Sequence, residues 1–272
     1  MKCKIVFFDI DGTLVNEQKD IPQDTVEAIR ELKASGVEPV VATGRAPYFI
    51  GPILEKLGIE SYVCLNGGYV VYKGEPIYRF AIARDIMGKL VDKAEEHGHG
   101  LVYEGAEAYY ANQETNTFMT DSVLSLKVNP PGYDPEFWQK EDVYQTFLHC
   151  EAQEETLYES LKDELTFIRW HECAMDVLPK GGSKAKGIEA MLNKLGYDAS
   201  QAVAFGDGLN DKEMLEYVGF GIAMGNSHPD LLPYADYVTA HVDDSGIRRG
   251  LVKAELLPAK AVAAAHRGAG AV

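Results

Sequence analysis

Residues 4–8 (Lys-Ile-Val-Phe-Phe) form a short apolar run that stops at Asp9-Ile-Asp11-Gly-Thr13. Aromatic and β-branched residues closed by a polar, glycine-containing turn read as a buried strand. A helical pattern follows over residues 21–34, with Val26, Ile29 and Leu32 on one face, Pro22 at its entrance and Gly36 at its exit. Residues 38–42 read as a strand, 48–57 as a helix and 62–65 as a third strand. The alternation returns late in the chain, with helices over 184–195 and 212–217 and strands over 202–205 and 220–223. Apolar strands alternating with helices are the pattern of a parallel sheet covered on both faces.

The middle of the chain breaks that pattern. A helix over 84–97 precedes strands at 101–103 and 108–111 and a further helical stretch. After a Pro/Gly-containing loop at 129–135 come a strand (143–150), a helix (154–162) and strands at 167–170 and 174–178. Helix followed by paired strands, twice over, predicts an α+β unit inserted into the parallel domain. The expected division is a discontinuous core of residues 1–83 and 177–272 with an insertion of 84–176. The Ala/Gly-rich stretch from Pro258, peripheral beyond about residue 256, is expected to be a loose helix or a flexible tail.

With 42 acidic and 26 basic residues, the chain carries a formal charge of −16. That balance argues against nucleic acid or an anionic membrane as partner, since both need a basic surface. Cys3, Cys64, Cys150 and Cys173 are scattered without metal-type spacing, which suits a reducing cytosol. The apolar run before Asp9 is too short for a signal peptide, and no segment approaches transmembrane length. The expectation is a cytoplasmic protein with no obligate protein partner.

Open parallel sheets bind ligands beyond the carboxyl ends of their strands. There the sequence places Asp9 and Asp11, then Thr43-Gly44-Arg45, and later Gly206-Asp207-Gly208-Leu209-Asn210-Asp211; Lys184 opens the helix after the insertion. Phosphoryl transfer needs such groups. Clustered carboxylates hold Mg²⁺ through hard oxygen ligands, so that an anionic nucleophile can approach an anionic phosphate. A hydroxyl, backbone N–H groups and an ammonium bind the non-bridging oxygens. A second carboxyl protonates the leaving group and later activates water.

D-x-D-G-T, T-G-R, a lysine after the insertion and G-D-x-x-N-D, in that order, resemble the haloacid dehalogenase superfamily. The insertion after the third strand is similar to its Cof-type, sugar-phosphatase-like subfamily with an α/β cap. The resemblance covers residues 1 to about 250 and implies a Rossmann-like parallel-sheet core under an α+β cap. It implies Asp9 as nucleophile and metal ligand, and Asp11 as general acid/base whose carbonyl also ligates Mg²⁺. Asp207 would be the other direct metal ligand. Thr43, Gly44, Lys184 and Asn210 would hold phosphate, and Asp211 would orient Lys184 or metal-bound water. Ion-transport relatives lack a carboxylate at the Asp11 position, so its presence here implies turnover to free phosphate. Asp11 can hold a proton if its side chain turns away from the metal into a drier environment.

Each residue also has a plainer reading. Arg45 stands between a substrate contact and a surface side chain. Ser183 is a natural N-cap, which turns Lys184 toward the strand ends and leaves Lys186 solvated. Asn66-Gly67-Gly68 is first a hairpin turn, with Asn66 a candidate substrate contact. His97 and His99 read as a polar loop sooner than a metal site. Tyr103, Tyr109, Tyr110, Trp138 and Trp170 read as packing of the insertion, with one or two free to meet a leaving group. The insertion holds seven basic and 20 acidic residues, a net −13 of the chain's −16. So acidic a lid offers little to a second phosphate, which predicts preference for monophosphates of neutral or cationic leaving groups. The leading reading is a Mg²⁺-dependent phosphohydrolase of small phosphorylated metabolites. Its rivals are a phosphotransferase or mutase on the same core, and a non-catalytic phosphate-sensing module, which the intact Asp11 disfavours.

Overall fold

The computed structural model describes residues 2–259, so residues 260–272, most of the Ala/Gly-rich stretch, lie outside the described residues. Eight strands form one sheet: β1 (Ile5–Phe8), β2 (Glu38–Ala42), β3 (Tyr62–Cys64), β4 (Tyr69–Tyr72) and β5 (Glu75–Arg79) before the insertion, and β12 (Ala202–Gly206), β13 (Phe220–Ala223) and β14 (Tyr237–Val238) after it. Their order is β14-β13-β12-β1-β2-β3-β4-β5. Pairing is parallel from β14 to β3 and antiparallel from β3 to β5.

Side chains of β1 alternate between the two faces, as the period of two requires. Val6 and Phe8 pack with Ile29 and Leu32 of α1 (Gln23–Ala34), Leu57 of α2 (Gly51–Leu57) and Ile247 and Leu251 of α8 (Gly246–Lys253). Ile5 and Phe7 pack with Ile188, Met191 and Leu192 of α6 (Lys184–Leu195) and Met214 and Leu215 of α7 (Lys212–Tyr217). Burial on both faces explains why these strands read as continuous apolar runs.

The insertion builds a six-stranded sheet from β6 (Gly100–Glu104), β7 (Tyr109–Ala111), β8 (Gly132–Tyr133), β9 (Gln145–His149), β10 (Leu165–His171) and β11 (Ala174–Pro179), ordered β10-β11-β9-β6-β7-β8. One face packs on α3 (Arg84–His97), α5 (Phe137–Lys140) and residues 152–161. The other face carries α4 (Thr117–Ser125) over part of its area and turns the rest toward the core sheet. Residues 152–161 differ from the helix expected near 154–162. They form tight three-residue turns, and the two side chains they bury, Tyr158 and Leu161, lie three apart on one face.

Candidate active site

Asp9 follows β1 directly, and its N–H donates to Phe205 O of β12 at 3.0 Å. Its carboxylate is buried beside Lys184, whose Nζ donates to Asp9 Oδ1 at 2.5 Å and to Asp211 Oδ1 at 2.6 Å. Local sequence puts Lys184 there. Ser183 Oγ caps α6 by accepting the Lys186 N–H at 3.3 Å, so Lys184 is the first helical residue. The helix comes this close because Gly67 has no side chain; a Cβ there would sit 2.0 Å from Ser183 O. Lys184 is buried, while Lys186 points outward to Glu189 at 2.7 Å.

Burial drives the Asp9 carboxyl well above its ordinary pKa, and Lys184 only partly offsets this because Asp211 and Asp207 push it up further. Burial alone would lower Lys184; Asp211 and Asp9 outweigh it and hold the ammonium charged. A buried ammonium between two carboxylates keeps its position because losing either partner strands a charge, at roughly 3–5 kcal/mol.

Oxygens of Asp9, Asp207 and Asp211 lie within 4.8 Å of one another. Asp211 is already engaged, since its Oδ2 accepts the N–H groups of Asp207 and Gly208 at 2.9 Å each. Asp207 Oδ1 accepts Thr13 Oγ1 at 2.9 Å, and burial and Asp211 raise the Asp207 carboxyl to about 7. Asp9 and Asp207 therefore have oxygens to spare and a deficit of positive charge, which is the donor set a hard divalent cation takes. Asp211 fits a supporting position. Gly12 makes the approach feasible, because its φ is +82° and a Cβ would fall 2.1 Å from Asp207 Oδ2.

Asp11 departs from expectation. It does not turn into a drier environment; its half-exposed carboxylate is gripped by cations. Arg45 donates Nε to Oδ2 at 2.7 Å and Nη2 to Oδ1 at 2.6 Å, and Lys19 Nζ reaches Oδ1 at 2.6 Å. Burial pushes its pKa up, but Arg45 and Lys19 outweigh this and hold it below the ordinary value. Asp11 is thus ionised in this state. Arg45 faces the site, and Lys19, from the charged loop before α1, is a site residue the sequence reading missed.

These groups line a cavity of about 370 Å³ between the two sheets, together with Thr43, Gly44 and Asn210. Thr43 is buried, and its Oγ1 accepts the Arg45 N–H at 3.1 Å. Asn210 Nδ2 donates to Asn66 Oδ1 at 3.2 Å. Asn66 lies in the turn between β3 and β4, and its Nδ2 donates across to the second sheet, to Gln145 Oε1 at 2.8 Å and Asp176 Oδ2 at 3.0 Å. Glu104, Gln145, Phe147, Trp170 and Asp176 form that side of the cavity. The sequence reading missed Glu104 and Asp176 as site residues. Their signal was present, one carboxylate closing the apolar β6 and another inside the apolar β11.

The other candidates are packed. Tyr103 is buried against α3, and Tyr110 packs on Phe137 at 4.9 Å between ring centres. Trp138 abuts Gly88 of α3. Tyr109 stacks on Tyr48 of the core at 5.3 Å. His99 Nδ1 hydrogen-bonds Tyr158 Oη at 2.6 Å, and Nε2 lies 3.3 Å from Glu154. Among the described residues the one acidic or histidine cluster able to hold a metal is that of Asp9, Asp207 and Asp211, so His97 and His99 make none. No described helix is long and apolar enough to cross a membrane.

The family model of the haloacid dehalogenase-like hydrolases matches residues 6–251. A Bacillus subtilis (strain 168) protein named "Putative phosphatase YkrA" is 39% identical over 257 residues, covering 94% of this chain and 100% of that one. A solved structure of a hypothetical protein from Geobacillus kaustophilus HTA426 superposes with a TM-score of 0.89 at 47% identity, covering 94% of this chain and 100% of that one. The subclass IIB sugar phosphatase BT4131 superposes with a TM-score of 0.82 at 30% identity, over 93% of this chain and 100% of that one.

Proposed function

Since the chain belongs to the haloacid dehalogenase-like hydrolases, we propose that it is a Mg²⁺-dependent phosphatase of small phosphorylated metabolites, with sugar and related monophosphates as its substrate class. Residues 84–179 act as a cap, three residues longer than expected because β11 runs on to Pro179 against β10, over a core of 2–83 and 180–259. The observation that carries the reading is Asp9, buried at the end of β1, held by Lys184, within 4.8 Å of an Asp207 oxygen and lining a substrate-sized cavity.

Asp9 attacks phosphorus and forms an aspartyl-phosphate as the ester P–O bond breaks. Asp11 gives the departing alkoxide a proton, then takes one from the water that attacks the aspartyl-phosphate. The Asp9 P–O bond breaks, inorganic phosphate leaves and Asp9 is regenerated. Asp9 and Asp207 would hold Mg²⁺, which would supply positive charge to offset the repulsion between nucleophile and phosphate. Lys184, Thr43, Gly44 and Asn210 bind the phosphoryl oxygens. Arg45 and Lys19 form ion pairs with Asp11; an incoming phosphate competes for both cations, so Asp11 becomes able to take up a proton as substrate binds.

Phosphate release from a panel of phosphorylated metabolites, with Mg²⁺ and with chelator, tests the proposal. Hydrolysis of sugar monophosphates that stops with chelator is expected. Failure to hydrolyse any phosphate ester would overturn it.

A further inference from the structure

We propose that Glu104 and Asp176 form the subsite for the leaving group, and that it takes an uncharged, polyhydroxylated group through two of its hydroxyls. The inference rests on the phosphatase reading and names what that site selects.

Three neighbouring strands of the cap sheet, β11, β9 and β6, bring the residues together. Glu104 pairs with Gln145 across β6 and β9, and Asp176 pairs with Phe147 across β11 and β9. Gln145 and Phe147 are two apart and share a face, so all four side chains point to one side, and all four line the cavity. The core side of the same cavity carries Asp9, Thr43, Gly44 and Arg45, and Gln145 Nε2 reaches across to Gly44 O at 3.3 Å.

Hydrogen bonds join the four polar groups in a chain. Gln145 Nε2 donates to Glu104 Oε2 at 2.6 Å, and Asn66 Nδ2 donates to Gln145 Oε1 at 2.8 Å and to Asp176 Oδ2 at 3.0 Å. Each carboxyl thus receives one amide donor and, among the described residues, no cation. The Trp170 indole N–H lies near Asp176 but reaches no acceptor at hydrogen-bonding geometry. Buried carboxyls left with spare acceptor capacity beside a cavity are completed by donors from a ligand.

The chemistry of the donor follows from charge. An anionic leaving group would meet two acids without a neutralising cation. Burial, opposed by Asn66, raises Asp176 to about 7, and burial and Asp176 hold Glu104 well above its ordinary value, so both acids resist ionisation. A pair that keeps its protons both accepts from and donates to hydroxyls without a change of charge, whereas an ammonium must first ionise one of the two. Phe147 and Trp170, edge to face at 5.2 Å, offer apolar walls for the carbon face of such a group.

Asn66 is a positioning residue in this arrangement. Leu65 and Asn66 both sit at left-handed φ, +52° and +48°, a costly conformation that fixes the Asn66 amide between Asn210 and the cap carboxyls.

The test compares kcat/KM for a hexose 6-phosphate, 2-aminoethyl phosphate and ethyl phosphate in wild type, Glu104→Gln and Asp176→Asn. The expected result is a roughly tenfold fall in the hexose-to-ethyl ratio in each variant, carried by KM, as for loss of one buried hydrogen bond. An unchanged ratio overturns the proposal, as does a wild type that prefers the aminoethyl ester and loses that preference in the variants. Either variant alone suffices should the other fail to fold. If wild type hydrolyses no ester, the phosphatase reading fails first; thermal protection by the free hexose, present in wild type and lost in Glu104→Gln, then still decides the subsite. Absence of that protection in wild type overturns it.

Discussion

In the core the reactive side chains leave from strand ends, loops and the first turn of α6, and nearly every charged one is bound to a partner of opposite charge. Lys184 bridges Asp9 and Asp211, while Arg45 and Lys19 grip Asp11. In the cap sheet the cavity-facing acids leave from the strands themselves, and their partners are amides. The first arrangement fixes reacting groups against one another and tolerates little substitution. The second offers unspent hydrogen-bonding capacity to whatever leaving group arrives. Chemistry and selectivity therefore rest on different physical terms, electrostatic preorganisation below and hydrogen-bond satisfaction above.

The largest effect should come from the core. Asp9→Asn is expected to reduce phosphate release to background, a loss of about 10⁴-fold or more, since an amide is a poor nucleophile and a weaker metal ligand. Chelation of divalent metal should do the same, reversibly. Near-wild-type release by the purified variant would break the core half of the comparison. Asp11→Asn should follow, with a loss of about 10²–10⁴-fold on an alkyl phosphate. An aryl phosphate, whose leaving group needs less protonation, should lose less. Equal losses on both esters would remove Asp11 from leaving-group protonation.

The core was legible because its acids interrupt apolar strands at their ends, where Asp9 follows Ile-Val-Phe-Phe and Asp207 follows Ala-Val-Ala-Phe-Gly. Ser183 was legible as a cap, and the cap explains the inward Lys184. Glu104 and Asp176 carried the same kind of signal but were read only as charges. Their shared face depends on the register of β6 and β11 against β9, strands paired across long loops, and that register is not a local property. Lys19 gave no pattern at all; its role arises only because its loop folds back onto Asp11. The ionised state of Asp11 is not legible for the same reason, since it depends on that lysine and on the reach of Arg45.

A smaller effect tests the cap's charge. Five of its seven cations pair with cap carboxylates: Lys89 with Glu164, Lys93 with Glu96, Lys140 with Asp134, Lys162 with Glu159 and Arg169 with Glu155. Arg84 binds Gln139 O, and Lys127 lines a neighbouring cleft that shares Phe49 and Val128 with the catalytic cavity. A hexose monophosphate should therefore exceed its bisphosphate in kcat/KM by about tenfold, since a desolvated second phosphate finds no cap cation. Preference for the bisphosphate, abolished by Lys127→Ala, would show that this lysine swings into the cavity.

The smallest effect is on stability and comes from Asp176. Its carboxyl sits at about 7 in the fold against an ordinary 3.8. Below the ordinary value both folded and unfolded states are protonated, and the group costs nothing. Between the two values the unfolded chain ionises while the fold resists, so stability falls as pH rises through that window and levels off above it. The full shift corresponds to about 4 kcal/mol at roughly 1.4 kcal/mol per unit. Asp176 is only partly shielded from cavity water, which screens the effect to about 1–2 kcal/mol. Asp176→Asn can still accept the Asn66 amide but cannot ionise. Its Tm should match wild type near pH 4 and exceed it by a few degrees at pH 7–8. A gap that shrinks with rising pH would mean that Asp176 gains a cation on ionising, and the cap would then hold its acids as the core does.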